Sequence, residues 1–555
     1  MISLTRLALG TCVLGSFAAV PVFRGPTPIQ LDPSRIDAVF KAYTRTTPGC
    51  ALGIYHDGAI AYQKGYGMAD LTFDIPITPA TLFDIGSTSK QFAAASIVLL
   101  ANDGRIALSD DVRKYIPELP DYGTTITIDH MLRHTSGLRD YNGLLFLAGF
   151  KYEDATDDDD ALRLIALQKA TNFGPGSKWD YSNTGFFLLS VIVKRVTGKN
   201  LAEFAKERLF VPLGMTKTNF RNDHTVILKA RATAYDPAES GGYQIDMSNW
   251  DQLGDGAINT NVIEMAKWDE NFYTGKVGGR PLIDKLYQRG TLSTGDSLSY
   301  ARGLFVDTYR GVRRIHHGGA WAGYRAMLMR FPEQHVSVAT LCNRSDANTT
   351  KLAEGVADVV LGNVFKAAER KVVAASGSPK TTNGASSGDV TRFAGVYFSE
   401  AEQSVVHIDQ KDGKLELGFS GAKIPLKPAG ENRFEADGFP VAIAFTGDEM
   451  EMWIAKESRG KLQKVSPVTL TASDWNQLAG TYYSPELDTS WKLEVKDGKA
   501  TLGGRSVGHN PLEPAFADAF SSGPGFVRFT RDSSGRLTGF DFSASRMQTI
   551  RFDRK

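Results

Sequence analysis

Ser87 and Lys90 are residues whose types and spacing could do chemistry. They belong to Ser87-Thr88-Ser89-Lys90, where an irregular segment ending at Gly86 gives way to the apolar run 91–100. That alanine-rich run predicts a buried helix, and residues three positions apart lie on one face of a helix. Ser87 could therefore be a nucleophile that gives its hydroxyl proton to a neighbouring base. A helix N-terminus would also stabilise the negative charge that develops there.

The Ser-x-x-Lys spacing is a weak signal by itself, and the chain contains a second copy of it. Ser458-Arg459-Gly460-Lys461 has the same spacing, but it includes a glycine and no apolar helix follows it. We interpret the second copy as a chance occurrence. The first copy requires partners elsewhere in the chain.

Tyr181-Ser182-Asn183 offers the first set of partners, at a turn before a second buried helix. A tyrosine near a lysine could be held partly as phenolate, because the cation lowers its pKa. Tyr181 could then take the proton of Ser87 and pass it to the leaving group. The amide of Asn183 could bind Lys90 and a substrate carbonyl. Tyr-Ser-Asn at a turn is commonplace, so it indicates catalysis only in combination with Ser87 and Lys90.

His317-Gly318-Gly319 offers the second set, as a predicted turn with Ala320 after it. Two glycines let a backbone approach a ligand closely, so the N–H groups of Ala320 and Ser87 could form an oxyanion hole. The pair His316-His317 could instead lie on the surface or bind a metal. No third ligand is spaced nearby and no His-Glu-x-x-His motif occurs, so we predict no metal and no cofactor. We interpret His134 as a buried hydrogen-bonding residue that shapes a loop.

The elements that must position these residues are predicted from residue 30 to about residue 370. Strands lie at both ends of this segment and helices lie in its middle. This order fits an antiparallel sheet built from both ends, with a helical region inserted. The predicted strands are 51–55, 59–66, 313–316, 324–330 and 336–341, and the predicted helices are 33–43, 91–100, 161–170, 186–196, 201–209 and 264–272.

The N-terminus of the chain indicates export. Arg6 precedes the apolar run 7–20, and Ser16-Phe17-Ala18 offers a cleavage site, which is typical of a signal peptide over residues 1–20. An uncleaved anchor is the alternative, although a membrane span needs ~20 apolar residues. We expect a periplasmic or secreted protein with no membrane span after cleavage. The net charge of +1 implies no nucleic-acid partner.

Cys50 and Cys342 are the two cysteines that remain after Cys12 is removed with the signal peptide. Both lie in apolar, strand-like runs. We predict buried free thiols, and a disulfide is the alternative in an oxidising compartment.

The C-terminal part of the chain contains an internal repeat behind a linker. Residues 371–390 are small, polar and rich in Pro, Gly and Ser, which is typical of a linker. The match to a nucleophile elbow within it, residues 384–388, lacks the required strand and helix. Ala394-Gly395-Val396-Tyr397 recurs 85 residues later as Ala479-Gly480-Thr481-Tyr482. Short alternating strands predict two small antiparallel β-barrel domains, at 391–467 and 468–555.

Taken in order, the three motifs resemble those of the serine β-lactamase and penicillin-binding-protein superfamily, in its class C-like branch. Residues 134–138 match another stretch typical of that branch, and the two trailing barrels resemble the layout of the three-domain D-aminopeptidases, as does 136–141. The resemblance implies an α/β (α+β) catalytic domain over 30–370. It also implies that Ser87 is acylated, that Lys90 and Tyr181 transfer protons, and that Asn183 positions the substrate.

Two departures from the family pattern bear on the substrate. His317 stands where β-lactamases carry a lysine, and a histidine is largely neutral at pH 7. It could donate one hydrogen bond, but it favours a substrate with no required carboxylate there. In the D-aminopeptidases, a loop of the last barrel reaches the active site and selects the free amine. The candidate loop here, 521–525, is short, which puts aminopeptidase specificity in doubt.

We therefore expect an exported serine hydrolase that acts through a covalent acyl-enzyme on a small peptide, ester or β-lactam. Amide hydrolysis in D-amino-acid-containing peptides, by a D-aminopeptidase or a DD-peptidase-like enzyme, is the leading hypothesis. An esterase or a weak β-lactamase is the alternative within the branch. A sensor of penicillin or peptidoglycan that is acylated without turnover is the alternative of another class. The sequence does not indicate the oligomeric state.

Overall fold

The computed structural model describes residues 29–367, 390–419, 422–436, 441–454, 457–523 and 525–555. The predicted signal peptide 1–20 lies outside these residues, and so does the predicted linker 371–390 except for its last residue. Among the residues that are described, no helix is long and apolar enough to cross a membrane.

A six-stranded antiparallel sheet forms the centre of the N-terminal region, residues 29–367. The strands of this region are β1 (Cys50–His56), β2 (Ala59–Tyr66), β3 (Met68–Asp70), β4 (Ile75–Pro76), β5 (Phe83–Asp84), β6 (Asn219–Phe220), β7 (Tyr235–Pro237), β8 (Tyr243–Ile245), β9 (Ile258–Thr260), β10 (Phe305–Tyr309), β11 (Val312–Trp321), β12 (Tyr324–Phe331) and β13 (Val336–Cys342). The central sheet has the order β10-β11-β12-β13-β1-β2. Strands from the two ends of the region therefore pair directly, which confirms the predicted sheet.

Most helices of this region lie between β2 and β10. The α-helices are α1 (Pro33–Val39), α2 (Lys90–Asn102), α3 (Ile128–Leu132), α4 (Tyr141–Ala148), α5 (Asp158–Ala166), α6 (Asn183–Thr197), α7 (Leu201–Ala205), α8 (Val211–Leu213), α9 (Val262–Thr274), α10 (Gly279–Tyr287) and α11 (Thr349–Val360). Short 3-10 turns span Gly86–Ser89, Val112–Lys114 and Pro332–Gln334, and a π-helical turn spans Lys206–Phe210.

Helix α2 is the centre of the helical region. Every residue from Lys90 to Leu100 is buried, which matches a sequence that is apolar and small on all sides. Helix α6 packs against α2 and ends at Gly198 in the left-handed conformation, as a glycine C-cap does. The two helices that carry candidate residues at their N-termini are thus fixed in one core.

Cys50 and Cys342 form a disulfide, so the prediction of free thiols was wrong. The two residues are directly opposite each other in the antiparallel pair β1–β13, where Cys50 begins β1 and Cys342 ends β13. Opposed side chains on adjacent strands lie close enough to bond. The sequence predicted the two strands but not their register.

Two closed eight-stranded antiparallel barrels follow the N-terminal region. Barrel 1 consists of β14 (Gly395–Ser399), β15 (Ser404–Lys411), β16 (Lys414–Phe419), β17 (Ala422–Gly430), β18 (Arg433–Ala436), β19 (Val441–Thr446), β20 (Glu449–Ile454) and β21 (Glu457–Val465), preceded by a 3-10 turn, Val390–Phe393. Barrel 2 consists of helix α12 (Ala472–Leu478) and strands β22 (Gly480–Ser484), β23 (Thr489–Lys496), β24 (Lys499–Gly504), β25 (Gly508–Phe516), β26 (Ala519–Ser522), β27 (Gly525–Arg531), β28 (Leu537–Ala544) and β29 (Met547–Arg554).

The repeat that predicts the barrels has a structural counterpart at its tyrosines. The buried Tyr397 hydroxyl donates to the carbonyl of Phe393, and the buried Tyr482 hydroxyl donates to the carbonyl of Leu478. Each bond ties the first strand of its barrel to the turn or helix that precedes it. The two barrels therefore begin with the same local structure, which agrees with the repeat.

The two barrels contact the N-terminal region in different ways. The core of barrel 2 is continuous with the core of the N-terminal region, whereas most of the core of barrel 1 is separate. A fully buried ion pair joins Arg139 to Glu486 of barrel 2. Barrel 1 contacts the region through partly exposed pairs such as Lys178 with Glu402. Barrel 2 is thus packed as part of the N-terminal region.

Candidate active site

Ser87 lies in the 3-10 turn that runs directly into α2. Gly86 before it has φ +47°, and a Cβ there would lie 2.7 Å from the backbone nitrogen of Ala320. Both the conformation and the space therefore require glycine. Of residues 81–100, Ser87 alone is not fully buried. It is the residue of this stretch that a substrate can reach.

Lys90 is completely buried beside Ser87. Its Nζ donates to the Oγ of Ser87 at 3.1 Å, to the Oδ1 of Asn183 at 2.8 Å and to the carbonyl oxygen of Asp255 at 2.7 Å. These three acceptors fix the amine next to the serine hydroxyl. Ser87, Lys90 and Asn183, which the sequence placed in two separate motifs, thus form one hydrogen-bonded group.

Burial lowers the pKa of Lys90 to about 7, because the charged ammonium loses its hydration. The carboxylates of Asp255 and Asp140 oppose this effect but do not cancel it. Asp255 is itself buried, so its pKa is raised, and its Oδ1 accepts a hydrogen bond from Tyr141 at 3.0 Å. The three donated bonds belong to the ammonium. In the neutral amine, two N–H groups remain for Asn183 and Asp255, and the lone pair faces the hydroxyl of Ser87, so Lys90 can accept a proton near neutral pH.

Tyr181 lies over the same group, with its ring centroid 4.9 Å from the Nζ of Lys90. Burial raises the pKa of Tyr181, and the nearby hydroxyl of Ser87 lowers it by less. The expected phenolate is therefore wrong, because the ring is desolvated and because the pKa of Lys90, the cation that was to stabilise it, is itself lowered. The Tyr181 hydroxyl is buried, and it has no hydrogen-bond partner of ordinary geometry among the described residues.

The third motif lies within a strand rather than at the predicted turn. Strand β11 continues through His317-Gly318-Gly319 to Trp321, where the hairpin to β12 begins. A Cβ on Gly319 would lie 1.9 Å from the carbonyl oxygen of Ile85, so only glycine lets β11 come this close to the Ser87 turn. Thr88 also donates to the carbonyl of His317 at 3.2 Å. Ala320, which is exposed, follows with its backbone against Gly86, the residue before Ser87.

A chain of hydrogen bonds links two histidines behind the site. The Nδ1 of His134 accepts the N–H of Ser182 at 3.2 Å, so Nε2 carries the proton and donates to the hydroxyl of Tyr300 at 3.1 Å. Tyr300 then donates to the Nε2 of His317 at 3.0 Å. The Nδ1 of His317 donates to the carbonyl of Gly318 at 2.6 Å. The buried His134 thus positions the Tyr181 segment and orients His317.

His317 is neutral, as expected, but it is not available in the way that the sequence suggested. Burial lowers its pKa to about 3. Both ring nitrogens are occupied, by Tyr300 and by Gly318, so the imidazole has no remaining N–H to donate to a substrate. His316 contacts Asp307 at 3.3 Å and is largely buried, so it is not a surface residue.

One group of side chains in the described part of the chain could hold a metal ion. It consists of Asp223, His224 and Asp251, and none of these residues is among the candidate catalytic residues. The His224–Asp251 contact is a partly exposed hydrogen bond at 2.8 Å. Acidic groups of this kind are common without an ion, so we assign no metal to them.

A hairpin of barrel 2 reaches the site. It joins β28 to β29 through residues 544–547, and the guanidinium carbon of Arg546 lies 4.9 Å from the ring centroid of Tyr181. The sequence suggested the loop 521–525 instead. Ser521 of that loop contacts His407 of barrel 1 at 3.4 Å. Pro524 lies outside the described residues.

Sequence reasoning missed four residues that surround the group, namely Asp140, Asp255, Tyr300 and Arg546. Asp140 is the N-cap of α4 and accepts the backbone N–H of Asn183 at 2.8 Å. Its position inside the 136–141 match was a usable signal. Asp255, in Asp255-Gly256-Ala257 before α9, offered a weaker one. Nothing in the sequence pattern marks Tyr300 or Arg546.

Two family models match the chain. The model described as Beta-lactamase matches residues 36–361, which is more than half of the chain. The model described as D-aminopeptidase, domain B, matches residues 387–509, which covers barrel 1 and the first strands of barrel 2.

Among similar proteins, the D-aminopeptidase of Cereibacter sphaeroides (strain KD131 / KCTC 12085) is 26% identical over 471 residues, 84% of this chain and 85% of that protein. Penicillin-binding protein 4* of Bacillus subtilis (strain 168) is 26% identical over 407 residues, 70% of this chain and 88% of that protein. The octameric penicillin-binding protein homologue from Pyrococcus abyssi superimposes with a TM-score of 0.56 at 21% identity, over 78% of this chain and 100% of that chain. The last likeness establishes the fold alone.

Proposed function

Because the chain belongs to the Beta-lactamase family and is a serine hydrolase, we propose that it hydrolyses amide bonds in D-amino-acid-containing peptides through an acyl-enzyme on Ser87. The observation that carries the proposal is the buried amine of Lys90. It lies 3.1 Å from the hydroxyl of Ser87, and its pKa is lowered to about 7. An amine with that pKa is a suitable general base at neutral pH.

In the first step, the Oγ of Ser87 attacks the scissile carbonyl and its proton passes to the Nζ of Lys90. A C–O bond forms and the carbonyl oxygen becomes an anion. The backbone N–H groups of Ser87 and Ala320 would stabilise that anion, and the close approach of β11 to the Ser87 turn supports this assignment. The Asn183 side chain, hydrogen-bonded to Lys90, would position the substrate and the amine.

In the second step, the C–N bond breaks and the leaving amine receives the proton that Lys90 took. Tyr181 is the candidate to pass this proton, because it lies over Lys90 and near Ser87, and because its neutral hydroxyl can give one proton while it accepts another. Water then attacks the acyl group by the reverse route, gives one proton back to Ser87 and releases the acid.

The D-amino-acid substrate class rests on similarity together with the barrels. Relatives named D-aminopeptidase match along 84% of this chain, and the domain B model matches a barrel segment as well. A match of that length extends from the catalytic region into the barrels, which supports the D-amino-acid substrate class. We therefore propose peptide amides as substrates. Whether the substrate carries a free amine or a carboxylate is a separate question.

Export to the periplasm or the medium is part of the proposal. The disulfide between Cys50 and Cys342 supports it, because disulfides persist in oxidising compartments. The predicted signal peptide at 1–20 points the same way. Detection of a mature N-terminus beyond residue 18 in the exported fraction of the producing cell would test this part.

One substrate panel tests the activity. It contains D- and L-aminoacyl amides, acyl-D-Ala-D-Ala peptides, nitrophenyl esters and a chromogenic cephalosporin, each measured with the wild type and with Ser87→Ala. We expect the largest kcat/KM on a D-configured amide or peptide, with its L counterpart much slower. Turnover limited to esters would replace the proposal with an esterase. A stoichiometric burst followed by no turnover on every substrate would replace it with an acylated sensor.

A further inference from the structure

The hairpin 544–547 of barrel 2 is fixed on the N-terminal region by its backbone. The carbonyl of Arg546 accepts the N–H of Asp140 at 3.1 Å and the Nδ2 of Asn172 at 2.8 Å. The Oδ1 of Asn172 in turn accepts the N–H of Gln548 at 2.9 Å. Arg546 has φ +65°, an unfavourable conformation for a residue with a side chain. This anchored geometry holds Arg546 beside the active-site residues.

The side chain of Arg546 has spare hydrogen-bonding capacity. It is 41% exposed, and its nearest carboxylate is that of Asp140, at 3.9 Å from Nη1. The Oδ1 of Asp140 is already the cap of α4, and its Oδ2 accepts the N–H of Asn183. With the described residues, the Arg546 side chain makes this contact at 3.9 Å and no hydrogen bond. Its donors therefore remain open toward a ligand.

The guanidinium also lies close enough to act on the catalytic group. It is 4.9 Å from the centre of the Tyr181 ring. Its charge adds to the lowering of the pKa of Lys90 and opposes part of the rise in the pKa of Tyr181. His317, the residue at the usual position of a substrate-binding cation, is neutral and occupied. The permanent positive charge that a substrate meets beside Tyr181 is thus supplied by barrel 2.

We propose that Arg546 binds a carboxylate of the substrate, so that this enzyme prefers acidic peptides or acyl groups and disfavours substrates with a free ammonium at that place. A guanidinium pairs with a carboxylate in a bidentate geometry, whereas it repels an ammonium. The inference rests on the proposed function and narrows it: a DD-peptidase-like or N-acylated substrate fits better than a free D-amino-acid amide.

The test compares substrates with and without one carboxylate or one ammonium group. On the leaving-group side, acetyl-D-Ala-D-Ala is compared with its C-terminal amide. On the acyl side, succinyl-D-Ala nitroanilide is compared with acetyl-D-Ala nitroanilide and with the free amine. Nitrophenyl hemisuccinate and nitrophenyl butyrate form a third set, which gives a result even if no amide is cleaved. The set in which the carboxylate raises kcat/KM shows whether the carboxylate binds on the leaving-group side or on the acyl side.

We expect Arg546→Gln to lower kcat/KM on the preferred carboxylate substrate roughly ten- to a hundredfold, as loss of one charge-assisted contact does. The neutral counterpart should change little. Arg546→Lys should restore part of the preference, and Asn172→Ala, which loosens the hairpin, should reduce it partially. Arg536→Gln removes an exposed arginine of the same barrel that pairs with Asp532, and it should leave every ratio unchanged.

Two outcomes would overturn the inference. If the wild type showed no carboxylate preference in any of the three sets, Arg546 would not be a substrate-binding residue. If Arg546→Gln slowed acidic and neutral substrates equally, its role would be confined to the pKa of the catalytic groups. The proposed function fails by a different result, namely the absence of Ser87-dependent amide cleavage, and in that case the ester set still decides the role of Arg546.

Discussion

Two of the Ser-x-x-Lys segments of the chain, Ser87 to Lys90 and Ser458 to Lys461, share residue types and spacing but differ in backbone conformation. Ser87 and Lys90 belong to a helical turn, where residues three apart share a face, and their polar atoms meet at 3.1 Å. Ser458 and Lys461 lie on β21 of barrel 1. Strand β21 is irregular between these two residues, so the alternation of faces does not separate their side chains. Instead, Ser458 donates to Glu451 at 3.1 Å and Lys461 pairs with Glu449 at 2.8 Å, so this segment forms no nucleophile and base.

The surroundings of the two lysines differ in the same sense. Lys90 is fully buried, and burial lowers its pKa to about 7. The side chain of Lys461 is 64% exposed and pairs with Glu449 at 2.8 Å, which raises its pKa. Lys90 can take a proton at neutral pH, whereas Lys461 stays protonated. The reactivity of the Ser-x-x-Lys motif therefore depends on its buried helical environment, and the residue types and spacing alone do not provide it.

The largest difference that this contrast predicts concerns the two serines. Ser87→Ala should abolish covalent labelling by a fluorescent penicillin or a phosphonate, and it should lower turnover by roughly 10⁶-fold, as removal of a nucleophile does in other serine hydrolases. Ser458→Ala should label and turn over like the wild type. The fold of both variants is checked by circular dichroism. Labelling of Ser87→Ala at the wild-type rate would show that another serine reacts.

Substitution of the two lysines should affect turnover very differently, by a factor smaller than that for the serines but still large. Lys90→Ala and Tyr181→Phe should each lower kcat by roughly 10²–10⁴-fold, because each removes part of the proton path. The double variant should lose little more than the worse single variant, since groups that act as one unit are not additive. Lys461→Ala is the matched control and should retain full activity. Losses that multiply in the double variant would contradict a shared path.

The pH dependence should follow Lys90 alone. Lys90 must be neutral to take a proton, so kcat/KM should fall as pH drops through about 7 and should be roughly a hundredfold below its plateau two units lower. Asp255→Asn removes a carboxylate that raises the pKa of Lys90, so the acid limb should move to lower pH. Glu449→Gln changes the surroundings of Lys461 in the same way and should leave the profile unmoved. An acid limb that stays at the same pH in Asp255→Asn would argue against Lys90 as the base.

The sequence predicted the parts of the site that are local. Ser87, Lys90, Tyr181 and Asn183 each stand at the start of an apolar helix, and local pattern is sufficient to find such places. The central sheet and the paired barrels were also predictable, because alternating strands and a repeat are visible in one dimension. The order of the motifs then brought in the family resemblance.

What the sequence could not give depends on contacts between distant residues. Arg546 reaches Tyr181 only because barrel 2 is packed onto the N-terminal region, and the disulfide requires the register of β1 against β13. The expected phenolate at Tyr181 failed because depth of burial, which sets the direction of the pKa, is not visible in a motif. The turn expected at His317-Gly318-Gly319 was a strand, since glycine allows close approach as well as reversal.

The smallest effect should be on stability, and it should be larger for Lys90 than for Lys461. The pKa of Lys90 is lower in the folded protein than the value of ~10.4 in an unfolded chain. Its protonation therefore opposes folding, by an amount that is absent above the unfolded pKa, grows as pH falls and is complete below about 7. Lys90→Met removes this cost, whereas the loss of hydrogen bonds to Asn183 and Asp255 costs about the same at every pH.

Lys90→Met should therefore be more stable relative to wild type at pH 6 than at pH 9, by about 2 kcal/mol. Loss of the ammonium also favours protonated Asp255 at low pH, which acts in the same direction. The midpoint of thermal unfolding, measured for both proteins at the two pH values, checks the sign. Lys461→Met removes an exposed charge and should shift the midpoint little at either pH. A stability gain for Lys90→Met that does not depend on pH would mean that Lys90 has an ordinary pKa, and the distinction between a buried base and an exposed cation would then be lost.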